Sequence, residues 1–75
     1  MRLSDLQNKD VVDIASGDRI GNVIDAEISN QGTIMRIIIN DKKGFFNMIR
    51  SDEVSIPWAQ IRKIGSDVIL VSRNL

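Results

Sequence analysis

Five glycines punctuate a chain of 75 residues, and four of them (Gly17, Gly32, Gly44 and Gly65) fall between short runs rich in Ile and Val. A turn about every ten residues leaves no room for helices of ordinary length and points to an all-β fold of short strands. The runs between the turns are Val11–Ser16, Arg19–Ser29, Thr33–Asn40, Phe45–Arg50, Val54–Trp58 and Val68–Ser72. Six such runs in one small domain spanning residues 1–75 predict a small six-stranded β-barrel. In "SGDR" the pair Gly17–Asp18 suits a two-residue type II′ hairpin, because glycine takes a positive φ at the first central position. "IGSD", with Gly65 and Ser66, repeats the device. "NQGT" around Gly32 and "NDKKG" ending at Gly44 supply longer connections.

Helix is confined to one or two short turns. "LSDLQ" reads as a single turn capped by Ser4, and Pro57 ends a strand so that Ala59–Ile61 turn before the last hairpin. Gly17 and Gly21 in "GDRIG" do not make a phosphate-binding loop, which needs three spaced glycines between a strand and a helix. A second strand follows instead, and Gly21 fits a bulge or a sharp bend.

At this point the residues resemble a known family. "VVDIASGDRIGNVIDAEIS" is similar to the first hairpin of the PRC-barrel superfamily: an apolar pair, Asp, a turn with Gly, a basic residue, Ile-Gly, then Val and an acidic strand. "SIPWAQIRKIGSDVILV", together with "MRLSDL", resembles a bacterial branch of that superfamily, the YlmC/YmxH-type sporulation proteins. The resemblance implies a six-stranded β-barrel used for contacts, found in the reaction-centre H subunit, in ribosome-maturation factors and in stand-alone proteins linked to sporulation or division. It carries over no catalytic residues.

The search for chemistry agrees with a non-enzymatic role. The chain has no His and no Cys, which removes common zinc sites and His- or Cys-based nucleophile arrangements. Asp13, Asp25 and Glu27 could share a cation if the first hairpin pairs them, but hard cations usually take six or more oxygens from a dedicated loop. A solvated outer stripe opposite Ile24, Ala26 and Ile28 explains Asp25 and Glu27 better. No metal and no cofactor are therefore expected. Ten basic residues balance ten acidic ones, which argues against a dedicated nucleic-acid binder. No run approaches the roughly 18 apolar residues of a membrane span. Folding without disulfides fits the reducing cytoplasm.

Trp58, the single tryptophan, is expected to plug the barrel core. Lys42–Lys43 and Arg62–Lys63 read as solvated charges that protect sheet edges. The informative irregularity is "TIMRIII". Met35, Ile37 and Ile39 form an inward apolar row, while Arg36, costly to bury unpaired, turns its own row outward and takes Ile34 and Ile38 with it. On the next strand Phe46, Met48 and Arg50 share one face and Phe45, Asn47 and Ile49 the other, both with apolar residues, and the sequence leaves open which face points inward; the first set lies beside the β3 row if the "NDKKG" loop closes a hairpin. Ile34, Arg36, Ile38, Phe46, Met48 and Arg50 thus form the candidate contact surface, with Arg36 or Arg50 answering Asp25 or Glu27 of a second copy. The function expected is a protein-interaction module of a bacterial cytoplasmic assembly, self-associating as a homodimer. An RNA- or ribosome-associated accessory is the first alternative, and a small-ligand or metal sensor the second.

Overall fold

A computed structural model describes residues 1–40 and 53–72. The expected strand Phe45–Arg50, the turn at Gly44, the pair Lys42–Lys43, and Phe46, Met48 and Arg50 of the contact surface lie outside the described residues. A short helix α1 (Leu3–Gln7) leads into β1 (Asp10–Asp13), β2 (Arg19–Ile28) and β3 (Ile34–Asn40). β4 (Glu53–Pro57), a 3-10 turn (Trp58–Gln60), β5 (Ile61–Ile64) and β6 (Val68–Val71) follow.

The six strands form one mixed sheet in the order β4-β3-β2-β1-β6-β5. β1 and β6 run parallel, and the other neighbours are antiparallel. β4 and β5 are therefore opposite edges of the sheet although only the 3-10 turn separates them in the chain. Among the described residues no ladder joins these edges, so the sheet is open and the expected closure is not made by hydrogen bonding. The edge strand β5 was not among the expected runs. Its register slips at Arg62, and Arg62 and Lys63 are exposed, so a bulge and two charges blunt that edge.

β2 is the corner of the fold. Its first residues pair with β1 and the stretch from Val23 to Ile28 pairs with β3, with an extra residue accommodated at Ile20 and another at Ile24. Bulges bend a strand and increase its twist, which is how one strand serves two halves of a curled sheet. Between the two bulges lies Gly21, where a Cβ would collide with the Asn40 carbonyl oxygen of β3. Asn22 bridges the corner: its N–H donates to Asn40 Oδ1 at 2.7 Å, and its Nδ2 donates to Lys9 O at 3.0 Å and Asp10 Oδ1 at 3.1 Å. Arg19 completes the network, with Nε 3.0 Å from Asp10 Oδ1 and Nη2 donating to Asn22 Oδ1 at 3.0 Å.

The turns differ in detail from expectation. β1 ends at Asp13, and a loop through Ile14–Asp18 replaces the two-residue hairpin. Gly17, at φ 75°, donates its N–H to Asp13 O at 2.7 Å, while Asp13 N–H donates to Asp18 O at 2.9 Å. Asp13 is fully buried, so it is no part of a solvated carboxylate group, and its Oδ2 accepts the Ser16 hydroxyl at 3.0 Å. A local hydrogen-bonded loop stabilises this end of the strand better than a tight turn that would leave that carboxylate buried without Ser16. At Gly65 the β5–β6 connection is the three-residue stretch Gly65–Asp67, closed by Gly65 N–H to Val68 O at 2.7 Å. Gly32 does take a positive φ, 87°, as the last residue of a three-residue loop closed by Ser29 N–H to Thr33 O at 2.8 Å. Ser4 lies inside α1 rather than capping it. Asp5 accepts the Arg2 N–H at 2.7 Å in its place.

The core consists of Leu6, Val11, Ile20, Val23, Ile37, Ile39, Ile56, Ile69 and Val71. Trp58 packs against it half-buried, at its margin rather than as a plug in its centre. Trp58→Ala is therefore expected to cost about 2–3 kcal/mol, below the range for a fully buried Trp, and to lower the melting temperature by roughly 8–24 °C. Wild-type fluorescence should redden on unfolding. A melting curve unchanged by the substitution would place Trp58 outside the packed shell.

Candidate functional site

The side of β2, β3 and β4 turned away from the core carries the site. Alternation along paired strands fixes the faces: Ile37 opposes Ile56 and both are buried, while Arg36 opposes Pro57 and Ile38 opposes Ser55 on the outer side. The inward row of β3 is thus Ile37 and Ile39, as the sequence implies. Met35 is the correction, being 49% exposed. It is the extra residue of a second irregularity, where Glu27 pairs with Arg36 and Ile28 with Ile34, and this end of the hairpin runs beyond the core. Ile28, 61% exposed, shows the same overhang.

On the outer face, Arg36 and Ile38 lie in one row of β3; Ile34, expected with them, pairs with Ile28 beyond the extra residue Met35 and so falls on the other face, and all three are half-buried. The neighbouring row on β2 holds Asp25 and Glu27, both exposed, and the bulge residue Ile24, 40% exposed. Ile24 and Asp25 together face Ile38. Arg36 Nε lies 3.2 Å from Glu27 Oε1 of the same chain, an ion pair between cross-strand neighbours. Within one chain, then, Arg36 already answers one of the two carboxylates named for a second copy. Its Nε is buried without an aligned hydrogen bond, so the contact with Glu27 is chiefly Coulombic. Asp25 Oδ1 accepts the N–H of Ala26 at 2.8 Å, a local bond that leaves its second oxygen exposed to contact.

Among the described residues no three His, Cys, Asp or Glu side chains are grouped to hold a metal ion, and Asp13 ends β1, apart from Asp25 and Glu27 on the distal half of β2. No helix among them is long and apolar enough to cross a membrane.

The PRC-barrel domain family matches residues 1–74. The chain belongs to the PRC-barrel family. Its PRC-barrel sequence is 44% identical over 73 residues to the "Probable sporulation protein YlmC" of Bacillus subtilis, covering 92% of this chain and 88% of that protein. It is 39% identical over 74 residues to the "Uncharacterized protein YmxH" of the same organism, covering 95% of this chain and 87% of that one. An uncharacterized Clostridium acetobutylicum protein matches at 33% over 70 residues, 89% of this chain and 78% of its own length. The resemblance carried by the first hairpin and by the "IPWAQIRKIGSDVILV" stretch is thus shown, and with it the β-rich fold.

What the sequence did not indicate is the polar corner of Asp10, Arg19, Asn22 and Asn40. A small polar residue directly after a glycine in mid-strand, as in "IGN", is the available signal, since a bent strand exposes main-chain groups that need a side-chain partner.

Proposed function

We propose that this PRC-barrel chain is a non-enzymatic protein-interaction module of a bacterial cytoplasmic assembly linked to sporulation or cell division. The observation that carries the reading is the outer face of β2–β3, where Ile24 and Ile38 lie beside the ion pair Glu27–Arg36. An apolar patch with one charge pair suits protein contact, because burial of the isoleucines supplies the drive and the pair supplies orientation. The relative described as a probable sporulation protein supports the cellular setting. The balanced charge and the three aromatic residues of the whole chain give RNA little to grip, so the accessory role in ribosome maturation ranks second.

The test is a capture experiment from sporulating and vegetative cells of the source bacterium, with the wild-type chain and Ile38→Asp as paired baits. A partner retained by the wild type and lost by the folded variant supports the reading. Equal capture by both overturns the assignment of this face, and retention of RNA that falls steeply with salt would favour the accessory role.

A further inference from the structure

We infer that the outer face of β2–β3 is closed by a second copy of this chain, across a two-fold axis that runs along the strands between β2 and β3. The inference rests on the reading of this face as a contact surface and names its occupant. The register supplies the argument. Glu27 and Arg36 are direct cross-strand partners, so they stand at the same height along the hairpin. Rotation about an axis parallel to the strands lays β2 of each copy over β3 of the other without changing that height. Glu27 then faces Arg36 of the second copy and Arg36 faces its Glu27. Four charges alternate around a square, each with opposite charges for neighbours.

The same operation treats the apolar residues consistently. Ile24 and Asp25 stand at the height of Ile38, so the rotation lays them over Ile38 of the other copy, both contacts at one height on the same side of the charges. The alternative two-fold, across the strands, stacks β3 on β3 and sets Arg36 against Arg36. Electrostatic complementarity selects between the two. A face three strands wide and about five residues long covers roughly 250 Å², well below the ~800 Å² per partner of standard interfaces. The dimer is accordingly weak, with a dissociation constant of about 10–100 µM.

The experiment is sedimentation equilibrium up to about 300 µM, a range chosen to bracket that affinity. Wild type should dimerise. Arg36→Glu makes its copy's square wholly acidic and Glu27→Arg makes it wholly basic, so each variant alone should weaken self-association at least tenfold. Mixed in equal amounts, the two should form a heterodimer of near wild-type affinity, because acidic and basic rows then face each other. Thermal melts of both variants confirm that they are folded. A monomeric wild type, or a mixture that associates no better than its components, overturns the second-copy inference. Association of Arg36→Glu with wild type in preference to Glu27→Arg overturns the axis assigned to it. A monomeric wild type whose capture of another protein is still lost in Ile38→Asp leaves the interaction-module reading standing, so the two failures are separable.

Discussion

Gly21→Ala is expected to lower the melting temperature by roughly 12–24 °C, the equivalent of about 3 kcal/mol in a domain of this size. The added methyl has no room, since it would occupy the position of the Asn40 carbonyl oxygen. That atom belongs to the backbone of β3 and cannot swing aside as a flexible side chain would. To admit the methyl, β2 must move away from β3 at the corner, and the Asn22 N–H to Asn40 Oδ1 bond is the first to be lost. Stabilities of roughly 4–11 kcal/mol are usual for 75 residues, so the change removes a large share of what is available. The comparison is Gly32→Ala. No atom lies within 4 Å of its Cβ position, and only the positive φ of 87° resists the side chain, so a loss of about 1 kcal/mol is expected. Paired urea or thermal melts of the two variants check the ranking, and a Gly21→Ala loss no larger than that of Gly32→Ala would show that the strands at the corner are not in close contact.

The contrast between these glycines marks what could be read from the sequence. A positive φ in a three-residue loop is a local property, so the hairpin at Gly32 was legible from "NQGT". The close approach at Gly21 depends on where Asn40 arrives, and "GDRIG" specifies only that a bend is tolerated. The parallel pairing of β1 with β6 brings Val11 beside Ile69 across most of the chain, and no local pattern encodes it. β5 escaped notice because the bulge at Arg62 and the two adjacent charges break the apolar alternation in a strand of four residues.

At the candidate site the outward placement of Arg36 and Ile38 follows from alternation, since a desolvated Arg is costly, whereas Ile34 is carried to the other face by the extra residue Met35. The partner of Arg36 does not follow from alternation. Counting back regularly from the Ser29–Thr33 pair would set Glu27 against Met35, and only the extra residue at Met35 delivers Arg36 to Glu27. The same overhang exposes Met35 and Ile28. Alternation assigns a side chain to a face but does not say how far the core extends beneath it.

Neighbouring isoleucines of β3 provide the sharpest separation of fold from contact surface. Ile37 is fully buried against Ile56 and the rest of the core, and Ile37→Ala should cost about 3–4 kcal/mol, the transfer of its lost methyl groups plus the cavity that a rigid sheet cannot collapse. Ile38, one residue on, faces outward beside Ile24, Asp25 and Ser55, and is only half-buried. Ile38→Ala should cost less, about 1–2 kcal/mol, because part of its surface already meets solvent and no cavity is enclosed. Chemical denaturation measures both values. A one-residue shift of register along β3 would reverse their order, since side chains alternate between faces. Comparable costs at the two positions would mean that both faces of β3 are covered within one chain, and the outer face would then have no apolar surface to offer a partner.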